Sequence, residues 1–93
     1  MVFEWDEAKS AANARDRGLP FDVAMALFDR PTLESPDRRR DYGELRMKAI
    51  GSVSGHVLVC VYTDRKAVRR IISLRAASRR ERDAYRKAYP GGS

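Results

Sequence analysis

Hydrophobic positions recur with a helical period in the first third of the chain and mainly with a period of two in the second half. Small apolar side chains at helical spacing predict a first helix over residues 6–17, with Asp6 as its N-cap and Gly18 just after its end. Pro20 suits the first turn of a second helix. The expected buried face of that helix has the spacing i, i+3, i+4 and i+7 and consists of Phe21, Ala24, Met25 and Phe28.

Four segments after the second helix have the composition of strands. In the second of these segments apolar side chains alternate with Arg46 and Lys48, which is typical of a half-exposed strand. The next segment, VLVCVYT, is almost continuously apolar, as expected of a central strand. Short turns separate the last three segments, so we expect them to form an antiparallel meander. The predicted strands cover about residues 32–35, 44–50, 57–63 and 68–75.

Together these elements predict an α+β domain with two N-terminal helices, an antiparallel sheet of three to four strands and a C-terminal helix over about residues 78–88. All helices are expected on one face of the sheet. Residues 1–93 are expected to form a single domain, with a flexible tail from about residue 89. The open face of the sheet should carry Arg46 and Lys48 and, depending on register, either Arg69, Ser73 and Arg75 or Arg70.

The composition limits the class of protein. A chain of 93 residues with 43% hydrophobic side chains is large enough for one core. The single cysteine, Cys60, excludes an internal disulfide and suits a reducing compartment. No apolar run approaches the roughly 18 residues that cross a bilayer, and no signal-peptide pattern opens the chain. We therefore expect a cytoplasmic protein without a membrane partner.

The net charge of +6 is concentrated near the C-terminus, because residues 65–93 contain 10 basic and 2 acidic side chains. This asymmetry indicates either a nucleic-acid-binding surface or a solvated arginine-rich face. A second basic run, Arg38-Arg39-Arg40, lies in a polar loop. It has the same two interpretations: contacts with phosphates, or a mobile surface segment.

The junction between the last strand and the last helix contains an unfavourable charge. Ser78 and Glu81 have the S-x-x-E spacing of a capping box, which predicts a helix start. Arg79 and Arg80 then fall in the first helical turn, where the helix dipole disfavours each cation by roughly 0.3–1 kcal/mol. A nearby phosphate would remove this conflict, so the junction is the first candidate for binding a phosphate-bearing partner.

Two segments give the chain a resemblance to a known family: FEWD at residues 3–6 and RIISLRAASRRER at residues 70–82. They resemble the BrnT toxins of bacterial type II toxin–antitoxin pairs, which are relatives of the RelE-type ribonucleases. The resemblance covers residues 2–86. It implies a RelE-like fold and RNA cleavage that inhibits translation. Further positions that contribute to it are Lys9, Asn13, Gly18, Phe21, Ala24, Phe28, Asp29 and the strand from Arg46 to Gly51.

The resemblance also implies partners. These are RNA, either free or on the ribosome, and a BrnA-like antitoxin in a heterotetramer that contacts operator DNA only through the antitoxin. An acidic antitoxin segment on the basic surface would compete directly with RNA, so we expect the antitoxin to bury that surface. The chain departs from the family at residues 16–18, which read Asp-Arg-Gly where many relatives have Lys-His-Gly. Arg17 can bind phosphate, but a guanidinium group is a poor general base.

Metal-free cleavage of RNA needs a base for the 2′-hydroxyl, cations for the transition-state charge and an acid for the leaving 5′-oxygen. With one histidine and one cysteine in the chain, neither a metal site nor a cofactor is expected. The predicted catalytic residues are Arg75, Glu81, Lys48 and Arg79. The predicted RNA-binding residues are Arg46, Arg69, Arg80, Arg82, Lys9 and Arg17.

Structural roles compete with the chemical ones. Glu81 either takes part in catalysis or only completes the capping box. Tyr62 either packs in the core or stacks on RNA, while Tyr85, Trp5 and Cys60 are expected to pack. For the whole chain, the alternative to a ribonuclease is a non-catalytic module that binds nucleic acid or takes part in a repressor complex.

Overall fold

Three helices and a five-stranded mixed sheet make up the computed structural model, which describes residues 1–91. In chain order the elements are β1 (Val2–Glu4), α1 (Glu7–Arg17), α2 (Val23–Leu27), β2 (Leu33–Pro36), β3 (Met47–Val53), β4 (His56–Arg65), β5 (Val68–Ala76) and α3 (Arg79–Ala88). The strand order is β1-β5-β4-β3-β2. The antiparallel meander of β3, β4 and β5 is confirmed, β2 pairs antiparallel with β3, and β1 pairs parallel with β5.

The α+β class is confirmed, whereas the predicted count of three to four strands is wrong. The additional strand is β1, and its parallel pairing with β5 makes the sheet mixed instead of antiparallel. β1 has only three residues. So short a segment cannot show a period of two, and the hydrophobic pattern does not separate it from a loop.

The two N-terminal helices differ in how well their ends were predicted. The Asp6 carboxylate accepts hydrogen bonds from two backbone N–H groups of α1, and Gly18 follows the helix with a φ of 70°. α2 is shorter than predicted, because the residues after Pro20 form a turn and the helix begins only at Val23. Met25 is exposed, although its spacing places it on the buried face.

Helices cover both faces of the sheet, so the prediction of all helices on one face is wrong. α1 and α2 lie on one face, and α3 lies on the other. The nearly continuous apolar run of β4 reflects this arrangement, because its successive side chains point alternately to two cores. The core beneath α2 contains Phe21, Ala24, Leu27, Ala49, Leu58, Cys60, Tyr62, Ile71 and Leu74, and the core beneath α3 contains Ile50, Val57, Val59, Ala77 and Tyr85.

Two tyrosines fix α3 to the residues just before β2. The buried Tyr85 donates a hydrogen bond from its hydroxyl to the carbonyl of Pro31 at 3.3 Å. Tyr89, which the sequence places at the start of a flexible tail, packs against the Tyr85 ring and donates to the carbonyl of Thr32 at 2.9 Å. The helix is therefore packed through its last turn. The end of the expected tail, residues 92–93, lies outside the described residues.

A β-bulge in β5 decides which arginines of this strand share a face. The register against β4 shifts at Ile72, which is the extra residue of β5. Because the bulge reverses the alternation of side chains, Arg70 lies on the same face as Ser73 and Arg75, and Arg69 lies on the opposite face. The first predicted set is therefore wrong only in Arg69, and the second, Arg70 alone, is incomplete because Ser73 and Arg75 share its face.

Candidate functional site

The turn from β5 into α3 has the capping box that the sequence predicts. The Ser78 hydroxyl oxygen accepts a hydrogen bond from the Glu81 backbone N–H at 3.2 Å. The Glu81 carboxylate accepts one from the Ser78 backbone N–H at 2.8 Å. These two bonds satisfy amides at the start of the helix and fix the direction of the Glu81 side chain.

The Glu81 carboxylate also binds two cations from the sheet. Arg75 on β5 donates to both carboxylate oxygens at 2.7 and 2.9 Å, and Lys48 Nζ on β3 lies 2.8 Å from Oε2. The hydrogen bonds from Arg75 hold the pKa of Glu81 well below its usual range, and those from Lys48 and the Ser78 backbone lower it further. The same pairing raises the pKa of Arg75. Near neutral pH the cluster therefore combines one carboxylate with two cations.

Arg75 and Lys48 form part of the wall of a cleft of about 390 Å³. Their side chains are partly exposed, whereas the carboxylate of Glu81 is largely buried. The cleft thus collects positive charge from β3, β5 and the loop after β2, which suits an anionic ligand. Its lining consists of Ser35, Pro36, Asp37, Arg38, Arg39, Lys48, Val61, Ser73 and Arg75.

The other arginines predicted at this junction differ in their contacts. Arg79 and Arg80 are exposed at the start of α3, and their side chains form no ion pair or hydrogen bond within residues 1–91. Arg82 instead donates a hydrogen bond to the carbonyl of Ala77 at 2.9 Å, which braces the turn before the helix. Two of the three arginines are therefore available to an anion, and the third has a structural contact.

None of the six predicted RNA-binding residues lines the cleft, and four of them lie at other places on the surface or in the packing. Arg69 is turned to the face of the sheet beneath α2, where its guanidinium group lies over two aromatic rings. Lys9 and Arg46 line a small hollow near the beginning of β5. Arg17 lines a separate groove of about 570 Å³ that also contains His56, the only histidine of the chain. The structure thus brings together three of the four predicted catalytic residues and separates much of the predicted RNA-binding set.

The loop between β2 and β3 contains a tyrosine that the hydrophobic pattern did not single out. The guanidinium carbons of Arg40 and Arg46 lie 5.1 and 3.9 Å from the centre of the Tyr42 ring. Buried Asp37 accepts hydrogen bonds from the Arg39 side chain at 2.8 and 2.9 Å, and these bonds lower the pKa of Asp37. An aromatic residue inside a basic run, PDRRRDYGELR, was the signal that could have revealed this cluster.

The remaining candidates for chemistry are core residues. Burial raises the pKa of the Cys60 thiol to about 12. Burial, together with a hydrogen bond to Glu34, also raises the pKa of Tyr62. Trp5 packs against the core as expected. Within residues 1–91 no three His, Cys, Asp or Glu side chains are grouped to hold a metal ion, and no helix there has the length and apolarity of a membrane span.

Comparison with known families identifies the family to which the chain belongs. A family model for the ribonuclease toxin BrnT of type II toxin–antitoxin systems matches residues 5–81, a range that includes Lys48, Arg75 and Glu81. No curated protein matches the chain. The matched range covers most of the 93 residues and confirms the resemblance found in the sequence. The chain therefore belongs to the BrnT family of ribonuclease toxins, whose type II systems pair each toxin with an antitoxin.

Proposed function

We propose that this protein is an endoribonuclease that binds an RNA phosphodiester at Arg75 and Lys48 and cleaves it without a metal ion. The observation that supports the proposal is the Glu81 carboxylate, which holds two partly exposed cations from different strands at one cleft. One carboxylate cannot neutralise two cations. A bound phosphate would complement the remaining positive charge through charge-assisted hydrogen bonds.

The proposed reaction is a transesterification. The 2′-oxygen attacks the adjacent phosphorus, the bond from phosphorus to the 5′-oxygen breaks, and the products are a 2′,3′-cyclic phosphate and a 5′-hydroxyl. The 2′-hydroxyl passes its proton to solvent water, and the leaving 5′-oxygen takes one proton from solvent water. Negative charge develops on the non-bridging oxygens, which Arg75 and Lys48 can stabilise with the N–H donors that Glu81 does not use.

Glu81 acts on this reaction through its two cations and is therefore a positioning residue. Its lowered pKa makes the carboxylate a weak base, and both of its oxygens already accept hydrogen bonds. Because the carboxylate fixes Arg75 and Lys48 before the substrate arrives, less reorganisation is needed when charge develops. Arg79 and Arg80, exposed at the start of α3, supply further contacts for flanking phosphates.

In the cell, this proposal makes the protein a toxin of the RelE type that cleaves messenger RNA, free or on the ribosome, and thereby inhibits translation. A BrnA-like antitoxin neutralises it by covering the basic cleft with an acidic segment. Toxin and antitoxin form a heterotetramer, which contacts operator DNA through the antitoxin.

Binding of RNA without cleavage is the second candidate function, and one observation favours it. Both carboxylates beside the cations, Asp37 and Glu81, have lowered pKa values, so neither is an effective proton acceptor near neutral pH. In this alternative the same cations hold RNA, and no cyclic phosphate forms.

Incubation of the purified protein with end-labelled RNA in EDTA, with and without ribosomes, tests the proposal. We expect fragments that end in 2′,3′-cyclic phosphates. A 2′-deoxy oligonucleotide of the same sequence should not be cleaved. Lys48→Met should lower the rate at least about tenfold because a donor to the transition state is lost. Arg15→Ala, which removes an equal charge from the exposed side of α1, is the matched control. Fragments ending in 3′-hydroxyls would contradict the mechanism, and binding without cleavage would favour the second function.

A further inference from the structure

Beside the cleft that contains Arg75 and Lys48, the loop between β2 and β3 forms a smaller basic space, which we call the loop hollow or simply the hollow. This hollow has a volume of about 330 Å³ and is lined by Arg39, Arg40, Tyr42 and Arg46. Three guanidinium groups and one aromatic ring thus surround a single open space, and none of the described residues that line it is acidic. Such a combination offers both a stacking surface and donors for an anion.

The positive charge of the hollow is only partly balanced by the protein itself. Arg40 is exposed, and within residues 1–91 its one recorded contact is with the Tyr42 ring. The Nε atom of Arg46 lies 3.4 Å from a carboxylate oxygen of Glu44, which is a long distance for a charged hydrogen bond. An anion in the hollow would therefore gain contacts without displacing a strong internal ion pair.

The hollow is also held in shape by a buried carboxylate. Asp37 accepts two hydrogen bonds from the Arg39 side chain and a longer one, at 3.4 Å, from the Tyr42 hydroxyl. The Asp37 backbone N–H donates to the carbonyl of Arg46 at 2.8 Å. Although its guanidinium group is fixed in this way, the Arg39 side chain remains 73% exposed, so its other N–H groups face solvent. This arrangement lowers the ordering entropy that a bound ligand would otherwise cost.

Arg39 belongs to the lining of both the hollow and the cleft that contains Arg75 and Lys48. The two spaces are therefore adjacent, and one polymer can occupy both. Single-stranded RNA, in which phosphates alternate with flat bases, fits this arrangement of guanidinium groups and one aromatic ring. Its phosphates can pair with the cations, and its bases stack on aromatic side chains and on guanidinium planes. A duplex would not fit, since its bases are already stacked and paired.

We propose that Arg39, Arg40, Tyr42 and Arg46 form a nucleotide subsite, which binds one unpaired nucleotide of the RNA next to the phosphodiester held by Arg75 and Lys48. The base stacks on the layer made by Tyr42 and Arg46, and the phosphate of that nucleotide pairs with Arg39 and Arg40. This inference rests on the proposed function for the position of the RNA. It adds to that function a requirement for one unpaired nucleotide at this position and a residue outside the cleft, Tyr42, that determines affinity.

Binding of a non-cleavable 2′-O-methyl oligonucleotide, followed by fluorescence anisotropy, tests the subsite. Tyr42→Ala should weaken binding about tenfold, within the range that loss of one base–aromatic stack gives. Tyr42→Phe keeps the ring and should stay within about twofold of the wild type. Inorganic polyphosphate, which has the charges but no bases, should bind the wild type and Tyr42→Ala equally well. Thermal unfolding of each variant confirms that the fold is retained.

Oligonucleotides with a single abasic position provide the decisive comparison. At one position, removal of the base should weaken binding to the wild type about tenfold and should have no further effect on Tyr42→Ala, because both changes remove the same stack. Equal losses for oligonucleotide and polyphosphate, or additive losses at every abasic position, would overturn the subsite. A loss of antitoxin binding in Tyr42→Ala with unchanged RNA binding would overturn it too, since the hollow would then serve the protein partner.

Cleavage of the matching all-ribose oligonucleotide, measured in parallel, separates this inference from the proposed function. Binding that depends on Tyr42 in the absence of any cleavage would support the subsite and contradict the ribonuclease proposal. Cleavage with the same KM in the wild type and in Tyr42→Ala would support the ribonuclease proposal and contradict the subsite. If both proposals hold, Tyr42→Ala should raise KM with little change in kcat, because the stack lies beside the reacting atoms and not on them.

Discussion

Arg69 and Arg75 lie on the same strand and each donates two hydrogen bonds to one carboxylate, yet the two pairs are arranged in opposite ways. The Arg75 side chain is 37% exposed, and that of its partner Glu81 is 13% exposed. For Arg69 and its partner Asp64 the corresponding values are 16% and 43%. In one pair the cation faces solvent, and in the other the carboxylate does.

The β-bulge at Ile72 and the packing beneath each side chain explain the difference. Arg69 lies under α2, with its guanidinium carbon 4.0 Å from the centre of the Tyr62 ring and 4.6 Å from that of Phe28. Arg75 lies on the opposite face at the cleft, where the capping box holds Glu81 beside it. An arginine in an ion pair is therefore available to a phosphate when its carboxylate is the more buried partner, and it is a packing residue when the order is reversed.

The largest effect that we expect from this comparison is on cleavage. Arg75→Ala removes a bidentate donor from the cleft and should lower kcat about a hundredfold or more, the usual loss for a transition-state donor. Arg75→Lys keeps the charge but not the planar pair of donors, so it should recover only part of the rate. The measurement is the initial rate of RNA cleavage with each purified variant.

Arg69→Ala is the control on the same strand. It removes an equal charge but should leave the rate within about threefold of the wild type, since Arg69 does not line the cleft. Equal losses in Arg69→Ala and Arg75→Ala would show that only the total positive charge matters, and the distinction between the two pairs would then have no functional content.

A smaller loss of activity is expected for Glu81→Gln. Glutamine retains the capping-box geometry, so the helix start should persist, but it no longer holds Arg75 and Lys48 by charge. Because both cations then lose their fixed positions, kcat should fall about tenfold, while binding of RNA is retained or strengthened by the added net positive charge. Parallel measurements of kcat and of RNA affinity check this; a fall in affinity with unchanged kcat would contradict a positioning role.

The third effect is a loss of stability when the pair of Arg69 and Asp64 is changed. Arg69→Ala removes a guanidinium group that covers two rings and should lower the free energy of unfolding by about 1–2 kcal/mol. Its exposed partner contributes less, so Asp64→Asn should change it by no more than about 0.5 kcal/mol. Urea denaturation of both variants measures the two values. A larger loss for Asp64→Asn would show that the ion pair, and not the packing over the rings, stabilises this region.

The junction between β5 and α3 could be predicted because its signals are local. The S-x-x-E spacing of Ser78 and Glu81 determines the start of the helix, and the apolar pattern before it determines the strand. Neither signal depends on the rest of the fold. Local chemistry also identified Arg75 and Lys48 as basic positions on a sheet face, although it did not reveal that both contact the same carboxylate.

The parts that were not predicted depend on pairing between distant segments. The face on which Arg69 lies follows from a bulge, and a bulge is defined only by the register against β4. Tyr85 was expected to pack, but the face of the sheet against which it packs, and hence the position of α3 opposite α1, is not revealed by the helical period. The Tyr42 cluster requires an ion pair between buried Asp37 and exposed Arg39 in a loop, and a basic loop in a sequence shows only its charge.

The smallest effect that we expect is a change of stability with pH. Arg75, Lys48 and the Ser78 backbone lower the pKa of Glu81 in the folded protein, so the unfolded chain binds a proton at this site at higher pH than the folded chain does. The contribution of Glu81 to stability is therefore complete above the ordinary glutamate pKa of about 4.3 and decreases as pH falls toward the folded value. The difference in unfolding free energy between the wild type and Glu81→Gln should narrow steadily from pH 5 to pH 3.

Other carboxylates with lowered pKa values, Asp37 and Glu44, are present in both proteins and cancel in this difference. A difference that stays constant down to pH 3 would show that the cations do not hold the Glu81 carboxylate in solution.

The cleavage rate gives the complementary measurement. Glu81 remains ionised through the neutral range, so its protonation should not lower the cleavage rate of the wild type between pH 8 and pH 5. The result to look for is a decrease that occurs over this range in the wild type and is absent from Glu81→Gln. Such a decrease would make Glu81 the general base, and its carboxylate would then take part in the chemistry instead of only holding Arg75.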